Sequence, residues 1–165
     1  MNRAWKIRSL IAILVIAATA TGTRVALGGE DPVDHLRIRG GATTMLEGGT
    51  GAPDFTPVLT KLAFHWDGRT GDLECLAIAP AAPAPDAGSG NFDANIMYVT
   101  GPVTSARVLG DSATLEGTAT VTGVGAGTDV PFRLMVRRGG PGTTVVLEVS
   151  GLTFREILLE GQVSF

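Results

Sequence analysis

The stretch Ser112-Ala-Thr-Leu-Glu-Gly-Thr-Ala-Thr-Val-Thr-Gly123 decides the fold class of this chain. Small and aliphatic residues occupy every second position from Ala113 to Val121, and threonine or glutamate occupies the positions between them. Because side chains alternate between the two faces of a strand, this pattern predicts a β-strand with one apolar and one wet face. A two-faced strand fits an antiparallel sheet, since strands of a parallel sheet are buried on both faces.

The same alternation recurs along the chain between glycine-rich turns. Gly40-Gly41 is expected to end or bulge the first strand, and Gly101-Pro102 to bend the fourth. We predict strands at 35–39, 60–66, 72–79, 91–99 with a continuation at 103–109, 112–123, 130–136, 144–149 and 158–165, with 151–156 as a connection. About eight short strands predict an all-β domain, either a single antiparallel β-sandwich or a small, partly open barrel.

The N-terminus has the pattern of a signal peptide. Its first eight residues include three cations and no anion, Leu10 to Ala18 is an unbroken apolar run, and Ala18-Thr-Ala20 supplies a small-x-small cleavage site. The apolar run is far shorter than the roughly 20 residues of a spanning helix, which favours a cleaved signal over a retained anchor. We therefore predict a signal-peptide helix at residues 1–20, removed on export by the Sec route, and a secreted mature protein, periplasmic or extracellular.

The remaining chain is predicted to form one domain. Residues 21–33 lack a period and contain adjacent glycines and Asp-Pro, so we interpret them as a flexible leader. Residues 34–165 are predicted to be a single β-domain. Its Pro/Ala/Gly-rich segment 80–90 is predicted to be a surface loop, because proline cannot continue a strand ladder.

Charge and cysteine content exclude several classes of partner and site. Without residues 1–20 the chain carries 10 basic and 16 acidic residues, so it would repel the phosphates of nucleic acid. Cys75 is the only cysteine, which excludes an internal disulfide and a cysteine-built zinc site. Charged residues on the second face of each strand favour a domain with no membrane contact after signal removal over an outer-membrane barrel. No metal or cofactor is predicted.

Four residues are weak candidates for a functional site. His65 lies beside Asp67, so a His/Asp pair is conceivable, and Asp72 and Glu74 share one face of a strand, as an acid/base pair or a cation site requires. No serine or cysteine nucleophile motif accompanies His65 in the sequence. We favour the interpretation that His65 faces solvent and that Asp72 and Glu74 form a solvated face next to Lys61 or Arg69, and we predict no catalytic role for the four residues.

Several segments from about Phe55 onward resemble a widespread class of secreted bacterial β-domains. These are FHWDGRTG, VTSARVLGDSATLEGTATVTG, PFRLMVRRGGPG and ILLEGQVSF. The class combines an A-x-L-x-G-x-A-x-V-x-G strand with a G-x-P-G-type turn and a terminal strand. It usually carries a carboxylate just before the turn, where this sequence has Arg137-Arg138. The resemblance implies a fold and carries over no chemistry.

Two functions fit these observations. The first is a non-enzymatic extracellular accessory, adhesion or binding module, whose partner would be an extracellular protein or polysaccharide. The alternative is a small barrel that binds an apolar molecule in its lumen, where Ala113, Gly117 and Ala119 would leave room. A filled core favours the first function, and a ligand-sized cavity favours the second.

The signal-peptide interpretation predicts that the exported protein begins near Thr21. Intact mass spectrometry of protein collected outside the cytoplasm measures this directly. Retention of residues 1–20 in the exported protein would contradict it and favour an N-terminal anchor.

Overall fold

Eight antiparallel strands close into a barrel in the computed structural model, which describes residues 36–46, 57–80, 92 and 94–165. The strands are β1 Ile38–Leu46, β2 Leu59–Trp66, β3 Gly71–Ala79, β4 Ala94–Leu109, β5 Ser112–Gly123, β6 Gly127–Arg137, β7 Thr144–Val149 and β8 Leu152–Ser164. Each strand pairs with its neighbours in sequence, and β1 pairs with β8. The predicted signal peptide, the leader and all of the 80–90 loop except Pro80 lie outside the described residues.

The all-β class and the antiparallel, eight-stranded arrangement are confirmed. Of the two predicted architectures the chain adopts the barrel, and the barrel is fully closed. Closure pairs Gly40 with Val163 and Ala42 with Gly161, so the two edge strands of the sheet, β1 and β8, are hydrogen-bonded to each other. The deciding strand β5 has the predicted bounds, with Ala113, Leu115, Ala119 and Val121 buried.

The interior of the barrel is filled by the apolar side chains that occupy every second position of each strand. Buried side chains from all eight strands form one cluster, in which Leu73, Leu115, Leu134, Leu147 and Leu158 are almost completely inaccessible. Small residues accommodate large ones on the neighbouring strand. A Cβ on Gly117 would lie 2.9 Å from the Phe132 ring, and a Cβ on Gly40 would lie 2.3 Å from the Phe64 ring. The space that the small residues of β5 were expected to leave is therefore occupied by side chains.

Strand β1 differs from the prediction because it continues through Gly40-Gly41 to Leu46. Gly40 pairs with Phe64 on one side and with Val163 on the other. Its missing side chain makes room for the Phe64 ring, so this glycine serves packing and does not end the strand.

Strands β4 and β8 are also longer than predicted. β4 is one 16-residue strand whose register shifts between Val103 and Ser105, just after the predicted bend at Gly101-Pro102. β8 begins at Leu152, directly after a turn in which Ser150 and Gly151 both have positive φ. The predicted connection 151–156 is therefore largely strand, which places Glu156 at an inward-facing position.

The two ends of the barrel differ. At one end the C-terminal Phe165 ring lies 4.5 Å from the Arg138 guanidinium, and Gly139 exchanges two backbone hydrogen bonds with Val163. At the other end Ser150 Oγ donates to the Gly125 carbonyl at 2.6 Å, tying the β7–β8 turn to the β5–β6 turn. We call this second end the cavity end.

The two faces of β5 predict opposite responses to the same substitution. Leu115→Lys places a charge at a fully buried position and should lower the free energy of unfolding by roughly 4 kcal/mol. Thr118→Lys lies on the exposed face and should cost less than about 1 kcal/mol. Urea denaturation followed by circular dichroism measures both. Equal losses would contradict the observed orientation of β5.

Candidate functional site

A buried carboxyl group lies inside the barrel near the cavity end. Glu156 on β8 is 4% exposed and points inward between Phe154 and Leu158 in the strand alternation. The Thr60 hydroxyl on β2 donates to Glu156 Oε1 at 2.9 Å, and the Thr44 hydroxyl on β1 makes a hydrogen bond with Oε2. Thr44 and Thr60 are themselves buried and directly paired across β1 and β2. The closure of the barrel therefore brings these three side chains together.

Burial controls the protonation of Glu156. Desolvation raises the pKa of its carboxyl, while the hydrogen bonds from Thr44 and Thr60 act in the opposite direction and are weaker. The neutral acid can be fully satisfied, because Thr44 Oγ1 also lies 3.4 Å from the Thr60 carbonyl oxygen. A proton on Oε2 then bonds to Thr44 Oγ1, the Thr44 hydroxyl donates to that carbonyl, and Thr60 donates to Oε1. The hydrogen-bond network can thus accommodate a proton on Glu156 in the low-dielectric interior.

An apolar cavity of about 60 Å³ lies against this carboxyl. Its deep wall consists of Thr60, Ala77, Met97 and Glu156, all of which are buried. Nearer the end of the barrel it is lined by Leu46, Val58, Ile96, Val124 and Phe154. An apolar space that converges on one ionisable group with a shifted pKa is the usual form of a small-molecule site, here at a very small size.

Cys75, on β3, is part of the same interior and remains a thiol. Burial, and secondarily the charge of Glu156, raise the pKa of Cys75 to about 12. The reactive form of cysteine is the thiolate. Cys75 therefore does not serve as a nucleophile near neutral pH, and it behaves as a small core side chain, as its sequence position predicts.

The sequence-predicted candidates lie elsewhere, on the outer wall at the β2–β3 hairpin. His65 Nδ1 is 3.8 Å from Asp72 Oδ2, and the two side chains are 53% and 74% exposed. Asp67 accepts the backbone N–H groups of Arg69 at 2.9 Å and Thr70 at 2.8 Å, which lowers the pKa of Asp67. The carboxyl of Asp67 thus shapes the turn, and the structure does not bring it together with Glu156.

Glu74 and the two arginines before the Pro-Gly turn also have partners outside the lumen. Glu74 accepts a hydrogen bond from the Tyr98 hydroxyl at 2.8 Å. Arg137 forms an ion pair with Asp111, and Arg138 stacks on Phe165. Within the described ranges no group of three or more His, Cys, Asp or Glu side chains is arranged to hold a metal ion.

Wider depressions on the outer wall are open and do not desolvate a ligand. One, of about 540 Å³, lies over Gly41 and Gly161 and is bordered by Lys61, Glu74 and Glu160. Another, of about 620 Å³, includes the Glu116–Arg133 ion pair. These features make the cavity at Glu156 the better candidate site, because burial strengthens polar interactions.

Sequence reasoning missed Glu156 because a carboxylate at an inward position breaks the apolar alternation. A signal was nevertheless present. Phe154, Glu156 and Leu158 share one parity, and Thr60 has the parity of Leu62 and Phe64. Polar residues at positions that the strand alternation places on the apolar, inward face of separate strands were the available indication of a shared buried site.

Comparison with family models, curated proteins and solved structures gives no match to this chain. The resemblance to secreted bacterial β-domains therefore stays a prediction. In the part of the chain that the structure describes, no helix has the length and apolar content needed to cross a bilayer.

The raised pKa of Glu156 predicts a specific pH dependence of stability. Between the ordinary value of 4.5 and the raised one, the folded state keeps a proton that the unfolded state releases. As pH increases through this window, the free energy of unfolding of the wild type should fall relative to that of Glu156→Gln by up to about 1.4 kcal/mol per pH unit. Below the window, the free energies of unfolding of the two proteins should change with pH at the same rate. Denaturant unfolding of both proteins at a series of pH values measures this difference.

Glu160→Gln is the matched control, because Glu160 lies on the same strand with its side chain exposed. This variant should follow the pH profile of the wild type. Parallel profiles for wild type and Glu156→Gln would show that the carboxyl of Glu156 is not held neutral by burial.

Proposed function

We propose that this protein is a secreted, non-enzymatic binding module whose ligand site is the cavity end of the barrel. The ligand is a small molecule with an apolar part and one polar group, the polar group meeting Glu156. The observation that carries this proposal is the apolar cavity ending on a single buried carboxyl. The secreted location rests on the pattern of residues 1–20.

The packing of the barrel supports a site at its end and not along its axis. Leu115, Leu134 and Leu147 fill the middle of the lumen and are at most 2% exposed. A long-chain lipid would require a channel of several hundred Å³, as ligand pockets generally have. The cavity of about 60 Å³ instead suits a ligand of only a few non-hydrogen atoms.

The support of Glu156 also fits a binding role. Thr44 lies on β1, which pairs with β8 at the closure, and Thr60 lies on β2, which pairs with β1, so paired strands hold the carboxyl. A binding group held by packed strands loses little freedom when a ligand arrives. The neighbouring Cys75 thiol is kept protonated, which leaves recognition by Glu156 as the chemistry this site supports best.

Two variants, each replacing a buried alanine by leucine, test whether the cavity binds a ligand. Ala77 lines the cavity, so Ala77→Leu should fill it, leave the free energy of unfolding within about 1 kcal/mol of wild type, and abolish binding of a four-carbon probe such as butan-1-ol. Saturable amide chemical-shift changes in NMR titrations, around Met97 and Val124, report on binding.

Ala119→Leu is the control in the filled part of the lumen. Ala119 is 3% exposed, and a Cβ on Gly101 would come within 2.7 Å of its Cα. This variant should lose roughly 1–3 kcal/mol of stability and keep its probe binding. If Ala77→Leu binds the probe as the wild type does, or if Ala77→Leu is as destabilising as Ala119→Leu, the proposed site is wrong.

A further inference from the structure

The polar groups at the cavity have no hydrogen to give to a ligand. When Glu156 is ionised, the hydroxyl protons of Thr60 and Thr44 are both spent on its carboxylate oxygens. When it is neutral, the acid proton goes to Thr44 Oγ1, whose own proton goes to the Thr60 carbonyl. In either state lone pairs remain on the carboxyl and hydroxyl oxygens. The described wall of the cavity therefore accepts hydrogen bonds and does not donate them.

The electrostatics of the site also favour a ligand that donates hydrogen bonds and carries a positive charge. Burial disfavours the Glu156 carboxylate, and the contacts that oppose this effect are two uncharged hydroxyl groups. A cation placed against the carboxylate would compensate its charge inside a low-dielectric space, where the attraction is strong. An alkylammonium group carries three N–H donors and no acceptor, which complements a wall that offers only acceptors.

The apolar walls and the volume limit the rest of the molecule. Beyond Glu156 and Thr60 the lining consists of hydrocarbon and thioether groups, with Phe154 and Met97 on facing strands of the wall. At roughly 10–15 Å³ for each water-sized sphere, 60 Å³ holds about four to six non-hydrogen atoms. These dimensions fit an amine with three or four carbons.

We propose that the cavity binds a short primary alkylammonium ion, with its nitrogen against the Glu156 carboxylate and its chain directed toward Leu46 and Val58. This inference rests on the proposed function, because it names the ligand class of the same cavity. Ketones, esters and ethers are poor ligands by comparison, since their oxygen meets no donor. The O–H group of an alcohol of equal length can donate to an acceptor in the cavity, but the lone pairs of the alcohol oxygen find no donor there.

Binding of an ammonium ion is linked to the release of the Glu156 proton. Cys75 is a titratable group that interacts electrostatically with Glu156, and burial keeps it a thiol. The remaining neighbours, Thr44 on β1, Thr60 on β2, Met97 on β4 and Phe154 on β8, do not titrate. Affinity should therefore rise with pH by up to about tenfold per unit, until the carboxyl of Glu156 is ionised.

The experiment is an NMR and calorimetric titration of the folded protein with butylammonium chloride, butan-1-ol and ammonium chloride at pH 5 and pH 8. At pH 8 we expect butylammonium to bind saturably and at least tenfold more tightly than butan-1-ol, and ammonium chloride to show no saturable shifts. Glu156→Gln should lose this preference for the amine, and Glu160→Gln should retain it. In the wild type the preference should shrink at pH 5.

The outcomes separate this inference from the proposed function. Equal binding of butan-1-ol and butylammonium at both pH values overturns the ammonium assignment and leaves the cavity as a binding site. Absence of saturable binding by both probes overturns the site and the assignment together. If Glu156→Gln does not fold, the pH dependence of the amine preference in the wild type decides: a preference that is unchanged between pH 5 and pH 8 overturns the assignment.

Discussion

The pairing of β1 with β8 is the contact on which the rest of this structure depends. It turns a two-edged meander into a barrel, so that every inward side chain is enclosed by others. The closure requires glycine at one position. Gly161 has a φ of +106°, and a Cβ there would lie 2.0 Å from the Gly41 carbonyl oxygen. Close by, the register of β1 against β8 shifts between Thr43 and Thr44, after which Thr44 faces the interior beside Glu156.

Packing divides the lumen into a filled part and an open part. In the filled part, aromatic rings occupy the space beside two glycines, Phe132 at Gly117 and Phe64 at Gly40. At the cavity end a space of about 60 Å³ remains between Ala77 and the other lining side chains, Phe154 among them. Small residues thus have two effects on the interior: beside Phe132 and Phe64 they make room for a ring, and at Ala77 they leave a cavity.

A buried carboxyl is costly for a small domain unless its hydrogen bonds are satisfied. Thr44 and Thr60 supply those bonds, and no buried polar side-chain atom of the described residues lacks a partner. Aliphatic side chains at the three positions would pack the same interior without the desolvation penalty of the Glu156 carboxyl. The presence of a complete polar cluster in an otherwise apolar lumen is therefore the feature that calls for a functional explanation, and ligand recognition supplies one.

The sequence by itself determined the local features of the described domain. Alternation along β5, β6 and β7 placed their inward and outward residues correctly, since parity depends only on strand geometry. Gly40 and Glu156 could not be placed in this way. Whether a glycine ends a strand or admits the Phe64 ring, and whether a glutamate faces water or meets two threonines, depends on residues more than 20 positions away in sequence. Closure of the sheet brings those distant residues together, so the tertiary structure alone decided the site.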